Sequence, residues 1–411
     1  MPINPVRIEK DLAAIAACTE TPGEGATRPT FSLAWRQATD YVRDELLKLD
    51  CTVWMDAAGN LHARAPGVSR ETPVWGSGSH LDSVPRGGDY DGVMGVVIAL
   101  EVFRAAREDG KSTLPLELIV FAEEEGPTFG LGMLGSRAWV GEIGKEELRQ
   151  LRNAGGLTYL EAGEPHGVVP HRLETERIDP TTLRGFVEVH AEQGPGMWKN
   201  QIAVALVTGI AGRFQYRVTY QGTANHAGST AMEDRFDAMA GAAEAICGLE
   251  KMVRELSPQA VLTVGHLTVL PNAINVIAEK VELTIDFRAP EEEVLEEGQR
   301  RIRDLLREVG KKRGLTLTLE QTEAIPAVIL NTDLAQRLET VAIPLVGQPL
   351  PRTFSGALHD SAVLAPFVPT MMLFVASRDG ISHNPGEYSR LEDITLAAEI
   401  LANFLDENRS Q

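Results

Sequence analysis

Cysteine is scarce: Cys18, Cys51 and Cys247 are the three in a chain of 411 residues. Three cannot pair fully, and their spacing fits no zinc knuckle. Neither a disulfide framework nor a Cys-rich zinc site is expected, and the reducing cytoplasm is the expected compartment. Long apolar runs are missing as well. The longest, Val93 to Leu100, is far short of the roughly 20 residues a spanning helix needs, so no membrane role is expected. The opening MPINPVRIEKDLAAIA lacks an apolar core behind a basic start, so no secretory leader is expected. Basic residues are outnumbered, 39 Lys and Arg against 58 Asp and Glu, for a formal charge of −19. A surface that acidic repels phosphate backbones and argues against nucleic-acid partners. Low-complexity tracts and internal repeats are also lacking. With 43% apolar and 24% charged residues, the composition is that of a globular protein.

The length suggests two to three domains. Extended and helical patterns alternate through the first half. Pro73–His80, Leu114–Ala122 and Gly185–His190 read as strands, and Gly92–Arg107 reads as a buried helix. This order predicts an α/β fold, a mixed sheet flanked by helices. The middle of the chain differs. Arg213–Gln221 and Lys280–Arg288 alternate apolar and polar residues, which predicts strands with one packed and one wet face. Ala231–Leu256 has helical spacing, Val261–Leu270 is extended, and Leu315–Gln321 reads as a closing strand. An acidic helix runs from Pro290, placed at its first position, to about Lys312. The order β-α-β-β-α-β is that of ferredoxin-like α+β domains. Residues 212–323 are therefore expected to form an inserted domain. Residues 1–211 and 324–411 would form the main domain, ending in an amphipathic helix at Leu391–Leu405.

Chemistry-bearing residues collect at the polar ends of the apolar runs. His80 ends a strand in GSGSHLDSVPRGGDYDGVMG, with Asp82 two residues on and Asp91 just before the buried helix. Asp82 is placed to hold the second ring nitrogen of His80. Asp89 or Asp91 could instead merely cap the helix. FAEEEGPTFG sets Glu123, Glu124 and Glu125 at the end of a strand, where like charges in series need a positive neighbour. His190 closes a strand in VEVHAEQGPGM, and His383 lies in RDGISHNPGEYS. In open α/β sheets, sites gather at this end of the strands. Imidazole and carboxylate donors without thiolate favour Zn, Mn, Co or Ni.

Seven stretches, in order from about residue 76 to 388, resemble the hydantoinase/carbamoylase branch of the zinc aminoacylase and carboxypeptidase superfamily. They are GSHLDSVPRGGDYDG, FAEEEGPTFG with GSRAW, VHAEQGP, NHAGSTAMEDRFDA, LPNAINVIAEKVELTIDFR, SGALHDSA and SHNPGEYS. The resemblance implies two divalent metal ions per subunit, held by His80, Asp91, Glu125, His190 and His383, with Asp91 bridging. It implies Glu124 as the general base, and Gln193, His226, Asn275, Arg288 and the backbone around Gly356 as substrate contacts. It implies a homodimer in which the inserted domain is both dimer contact and lid. Arg288 on a strand would offer a rigid fork to a substrate carboxylate, and His226 a donor to a developing oxyanion. The expected reaction is hydrolysis of the carbamoyl C–N bond of N-carbamoyl-L-amino acids. Allantoate amidohydrolase is the alternative, followed by β-ureidopropionase and N-acyl-L-amino acid amidase. One departure stands out: Thr128 occupies the place of an arginine frequent in the family's EEGxRF, which removes a cation beside the expected site.

Overall fold

The computed structural model describes residues 1–111 and 113–409. Its strands are β1 (Thr52–Met55), β2 (Leu61–Arg64), β3 (Val74–His80), β4 (Leu116–Phe121), β5 (Leu183–Ala191), β6 (Val204–Ile210) and β7 (Gly212–Gln221). They continue with β8 (Val261–Thr263), β9 (Leu267–Leu270), β10 (Lys280–Ala289), β11 (Thr316–Ile325), β12 (Val328–Ile329), β13 (Arg352–Ser355) and β14 (Thr370–Val375). The chain divides into two compact units. Of the described residues, the larger contains those in 1–208, 330–353 and 359–409, and the smaller contains 209–329 and 354–358. Among the described residues, no helix is long and apolar enough to cross a membrane.

The sheet of the larger unit has the order β1-β2-β4-β3-β5-β14-β6. β3 runs parallel to β4 and to β5, and β5 runs parallel to β14. β1, β2 and β6 are antiparallel to their neighbours. β3, β4 and β14 are buried along their whole length. This explains why LELIVF and TMMLFV read as unbroken apolar runs, since parallel strands are covered on both faces. The helix Val93–Glu108 follows β3 and is buried almost throughout, Glu101 and Arg104 included. Those two charges are paired: Glu101 accepts from Arg7 at 2.7 Å, and Arg104 binds Asp11 and Glu45. A buried charge stripped of such a partner would be strongly destabilising.

The smaller unit holds an antiparallel sheet of order β11-β7-β10-β8, with β9 also on β10. The alternation seen in the sequence is realised. Phe214, Tyr216, Val218 and Tyr220 of β7 join Val281, Leu283, Ile285 and Phe287 of β10 in one core. The helices Ala238–Leu256 and Glu292–Lys312 supply Ala242, Leu249, Ile302 and Leu306 to it. On the opposite, polar face, Arg288 pairs in register with Arg213, and Asp286 with Gln215.

Some boundaries differ from the sequence expectation. The helix expected from Ala231 starts at Ala238, because the Asp237 side chain accepts from the N–H groups of Met239 and Ala240 and fixes the N-terminus there. Pro290 stands outside the acidic helix rather than at its first position, and the N-cap is Glu291. The extended stretch 261–270 is two strands rather than one, and β11 runs on to Ile325 through a bulge between Gln321 and Glu323.

Candidate metal centre

The parallel strands deliver their polar ends to one place. His80 is the last residue of β3, His190 lies near the end of β5, Glu123–Glu125 follow β4, and His383 lies in the loop after β14. Asp91 sits in the turn ahead of the helix Val93–Glu108. That helix is capped by Gly92 and not by a carboxylate, so neither Asp89 nor Asp91 is used as its cap. Gly92 has φ of +66°, and a Cβ there would fall 2.4 Å from His80 Nε2, so glycine is required.

Asp91 stands at the centre of the group. Its Oδ1 is 3.1 Å from His190 Nε2 and 3.6 Å from His80 Nε2. Its Oδ2 is 3.1 Å from His383 Nε2, which is also 3.2 Å from Glu125 Oε2. His80, Asp91 and His190 thus form one potential ligand set, and Asp91, Glu125 and His383 a second, sharing Asp91. His80 Nδ1 donates to the Asp82 main-chain carbonyl at 3.0 Å, and His190 Nδ1 donates to the Ala191 carbonyl at 3.0 Å. With the proton fixed on Nδ1, each Nε2 presents a lone pair to the carboxylates. His190 Nε2 is buried without a hydrogen-bond partner despite its approach to Asp91. Facing lone pairs call for a cation between them, a second ring proton when no metal is bound, and the imidazole and carboxylate donors suit a divalent metal ion.

The electrostatics agree. Burial works against a charge on His80 and His190, yet Glu124 and Asp91 raise the first well above the ordinary histidine range, and Asp91 raises the second. Asp91 and Glu125 push His383 up to about 10. Negative charge that draws protons onto three imidazoles attracts divalent cations for the same reason. Glu124 is largely buried, with Oε2 3.7 Å from His80 Nε2. Burial, with Asp360, Glu125 and Asp82 nearby, pushes its carboxyl well up against the opposing pull of His80.

Asp82 acts differently from the expectation. Its carboxylate is 3.8 Å from His80 Nδ1, and only its main-chain carbonyl bonds that ring. The carboxylate instead accepts from the N–H groups of Glu124 and Glu125, at 3.2 and 3.0 Å, and so fixes the glutamate turn. Gln193, expected against substrate, donates from Nε2 to Asp91 Oδ2 at 2.8 Å. The third glutamate has a local task. Glu123 is fully buried and accepts from the N–H groups of Thr128 and Phe129, both at 2.8 Å. Burial and Asp82 raise its carboxyl to about 7. Thr128 accepts at Oγ1 from the Thr30 N–H, so this loop is tied by neutral groups where the resemblance has a cation.

Residues 76–407 match the family described as peptidase family M20/M25/M40. The chain belongs to that family. It is 38% identical over 396 residues to an N-carbamoyl-L-amino acid amidohydrolase of Geobacillus stearothermophilus, covering 96% of each chain. It is 30% identical over 389 residues to an allantoate amidohydrolase of Bacillus subtilis strain 168, covering 93% of this chain and 92% of that one. Its fold is similar to the crystal structure of an amidase of the hydantoinase/carbamoylase family from Burkholderia multivorans. The TM-score is 0.90 at 31% identity, covering 100% of this chain and 98% of the other.

This M20/M25/M40 chain also uses residues the sequence reading missed. Glu387, buried in the last motif, accepts at Oε2 from the N–H groups of Tyr90 and Asp91, at 2.9 and 3.0 Å, and at Oε1 from Ser382. It holds the Asp91 turn in place. Glu188 binds the hydroxyls of Ser79 and Ser361, at 2.7 and 2.6 Å, behind His190. That leaves the further cluster of Glu188, His190 and His359 with its carboxylate already occupied.

His226, Asn275, Arg288 and Gly356 belong to the smaller unit. His226 Nδ1 accepts from the N–H groups of Gly228 and Ser229, at 3.0 and 3.2 Å, so the ring proton sits on exposed Nε2. The Asn275 carbonyl accepts from the Ala227 N–H at 3.0 Å, pinning the two loops together. Arg288 donates from Nη1 to the Gly356 carbonyl at 2.9 Å.

Proposed function

We propose that this chain is a dinuclear metal-dependent amidohydrolase that cleaves the carbamoyl C–N bond of N-carbamoyl-L-amino acids. The observation that carries the reading is Asp91, whose Oδ1 faces His80 and His190 and whose Oδ2 faces His383, beside Glu125. His80, Asp91 and His190 would hold one ion, and Asp91, Glu125 and His383 the other, from among Zn, Mn, Co or Ni. Bound ions of this kind polarise a carbonyl and make water acidic enough to attack it at neutral pH. Glu124 takes the proton of the attacking water and returns it to the leaving amine. His226 donates from Nε2 to the oxyanion that develops. Arg288 holds the substrate carboxylate, while Gln193, Asn275 and the Gly356 backbone orient polar groups. The products are an amino acid, ammonia and carbon dioxide.

Allantoate amidohydrolase is the second reading, supported by the Bacillus subtilis relative, which bears that name. Allantoate offers the same carboxylate and carbamoyl handles. β-Ureidopropionate and N-acyl-L-amino acids are further substrates in the same chemical class. We further place the enzyme in the cytoplasm as a homodimer built on its inserted domain. Cys18, Cys51 and Cys247 are all unpaired, as in a reducing compartment. The smaller unit exposes Val261, Leu267, Leu270 and Ile274, an apolar series suited to a second copy. The test is ammonia release after chelation and reloading with each metal, compared across carbamoyl amino acids, allantoate, β-ureidopropionate and acyl amino acids. Failure of every substrate with every metal overturns the proposal.

A further inference from the structure

A guanidinium carries five N–H groups in one plane, with a side edge formed by Nε and Nη2 and an end edge formed by Nη1 and Nη2. The position of a carboxylate around that plane therefore decides which donors remain for a ligand. In the smaller unit, Asp286 lies two residues before Arg288 on the same face of β10. It accepts from Arg288 Nε at 2.8 Å and from Nη2 at 3.3 Å, which occupies the side edge. Across the register, Gln215 of β7 donates from Nε2 to Asp286 Oδ2 at 2.9 Å and keeps the carboxylate from turning away. Arg213 stands opposite Arg288 in register and would repel it. It is drawn off by Glu323, which it meets through Nε at 2.6 Å. The Gly356 carbonyl takes one proton of Nη1. One N–H on Nη1 and one on Nη2 remain without a protein partner, and it is through such N–H groups that a guanidinium receives a carboxylate.

We infer that Asp286, itself steadied by Gln215, is a positioning residue that presents the end edge of Arg288 to the substrate carboxylate. This rests on the reading of Arg288 as the carboxylate contact. An ordinary exposed ion pair contributes little and has no bearing on which substrate binds. Here both side chains are about three-quarters buried, at 26% and 28% exposure, and the carboxylate has a second partner. Burial acts to raise Asp286, yet Arg288 and Gln215 keep its carboxyl below the ordinary range, so it stays an acceptor. Fixing the arginine before substrate arrives removes an ordering penalty that otherwise weakens binding by about 3- to 10-fold.

The experiment uses the full-length, metal-loaded enzyme with an N-carbamoyl-L-amino acid and its carboxamide counterpart, which lacks the carboxylate. Asp286→Ala is expected to raise KM for the acid by about 3- to 10-fold, with kcat nearly unchanged and the carboxamide unaffected. Asp286→Asn retains the volume and one acceptor, should fall between, and serves if the alanine variant does not fold. In an Arg288→Ala background, Asp286→Ala should add nothing. The inference is overturned if Asp286→Ala leaves KM for the acid unchanged, weakens both substrates alike, or adds its full effect on top of Arg288→Ala. Arg288→Ala tests the underlying reading separately. Equal losses on acid and carboxamide remove Arg288 from carboxylate binding, and the positioning role falls with it. Selective loss in Arg288→Ala beside a silent Asp286→Ala overturns the positioning role alone.

Discussion

His62 offers a test of the scaffold that carries the glutamate turn. It lies on β2, beside β4, with its ring fully buried between two carboxylates: Nδ1 is 2.7 Å from Glu117 and Nε2 is 3.2 Å from Asp56. Burial alone would discharge the ring, but the hydrogen bonds and charges of Asp56 and Glu117 outweigh it and raise its pKa from 6.5 to about 9. A group whose folded pKa is raised stabilises fully below its unfolded pKa, and the contribution disappears as pH climbs through the folded value. His62 should therefore contribute on the order of 3 kcal/mol at pH 6, decline between about pH 6.5 and 9, and contribute nothing by pH 10. The five tryptophans, Trp35, Trp54, Trp75, Trp139 and Trp198, all lie in the larger unit, so urea unfolding followed by tryptophan fluorescence reports on that unit. His62→Gln removes the charge. The free-energy gap between wild type and variant should shrink by roughly 3 kcal/mol from pH 6 to pH 10. A gap that stays constant with pH would show that the ring is not charged in the folded protein.

Elemental analysis of the metal-reconstituted, active enzyme should find two divalent ions per chain, and chelation should abolish turnover that Mn, Co, Ni or Zn restores; active protein without metal refutes the proposed centre. Glu124→Gln should lower kcat by about 10²–10⁴-fold with metal content nearly intact, while Glu125→Gln should chiefly weaken metal binding. The reverse pattern would exchange the roles of the two glutamates. In the proposed homodimer, the inserted domain of one copy would lend His226 to the site of the other, so mixing inactive Glu124→Gln and His226→Ala proteins after confirmed subunit exchange should partly restore activity; no recovery overturns that sharing.

The strand ends that gather at the candidate site were legible because TPVWGSGSH, LPLELIVFA and GFVEVH read as strands with a polar residue at the close. The alternation in β7 and β10 was equally plain, since one wet face imposes period two. Caps and turns were harder. The start of the helix at Ala238 depends on where the Asp237 side chain turns, and the stretch AMEDRFD before it offers Asp234 as a competing cap. Glu387 and Glu188 escaped notice because their partners, the Asp91 turn and Ser79, lie far away in sequence. Asp82 was assigned to the right histidine through the wrong group. Spacing brings the residue near, but only the fold shows that the carboxylate is committed to the main chain of Glu124 and Glu125.

The two ligand sets are assembled from the ends of β3, β5 and β14 and from the turns after β3 and β4. The set His80, Asp91 and His190 is spanned by residues 80–190, whereas the set Asp91, Glu125 and His383 spans residues 91–383. On the proposed function, the first set needs only β3 and β5 to pair, whereas the second also waits for the loop after β14 to arrive. Ions that bind only the finished arrangement lower its free energy and leave earlier states untouched. A metal in the second set would thus stabilise only those copies in which β14 and its following loop have found their place.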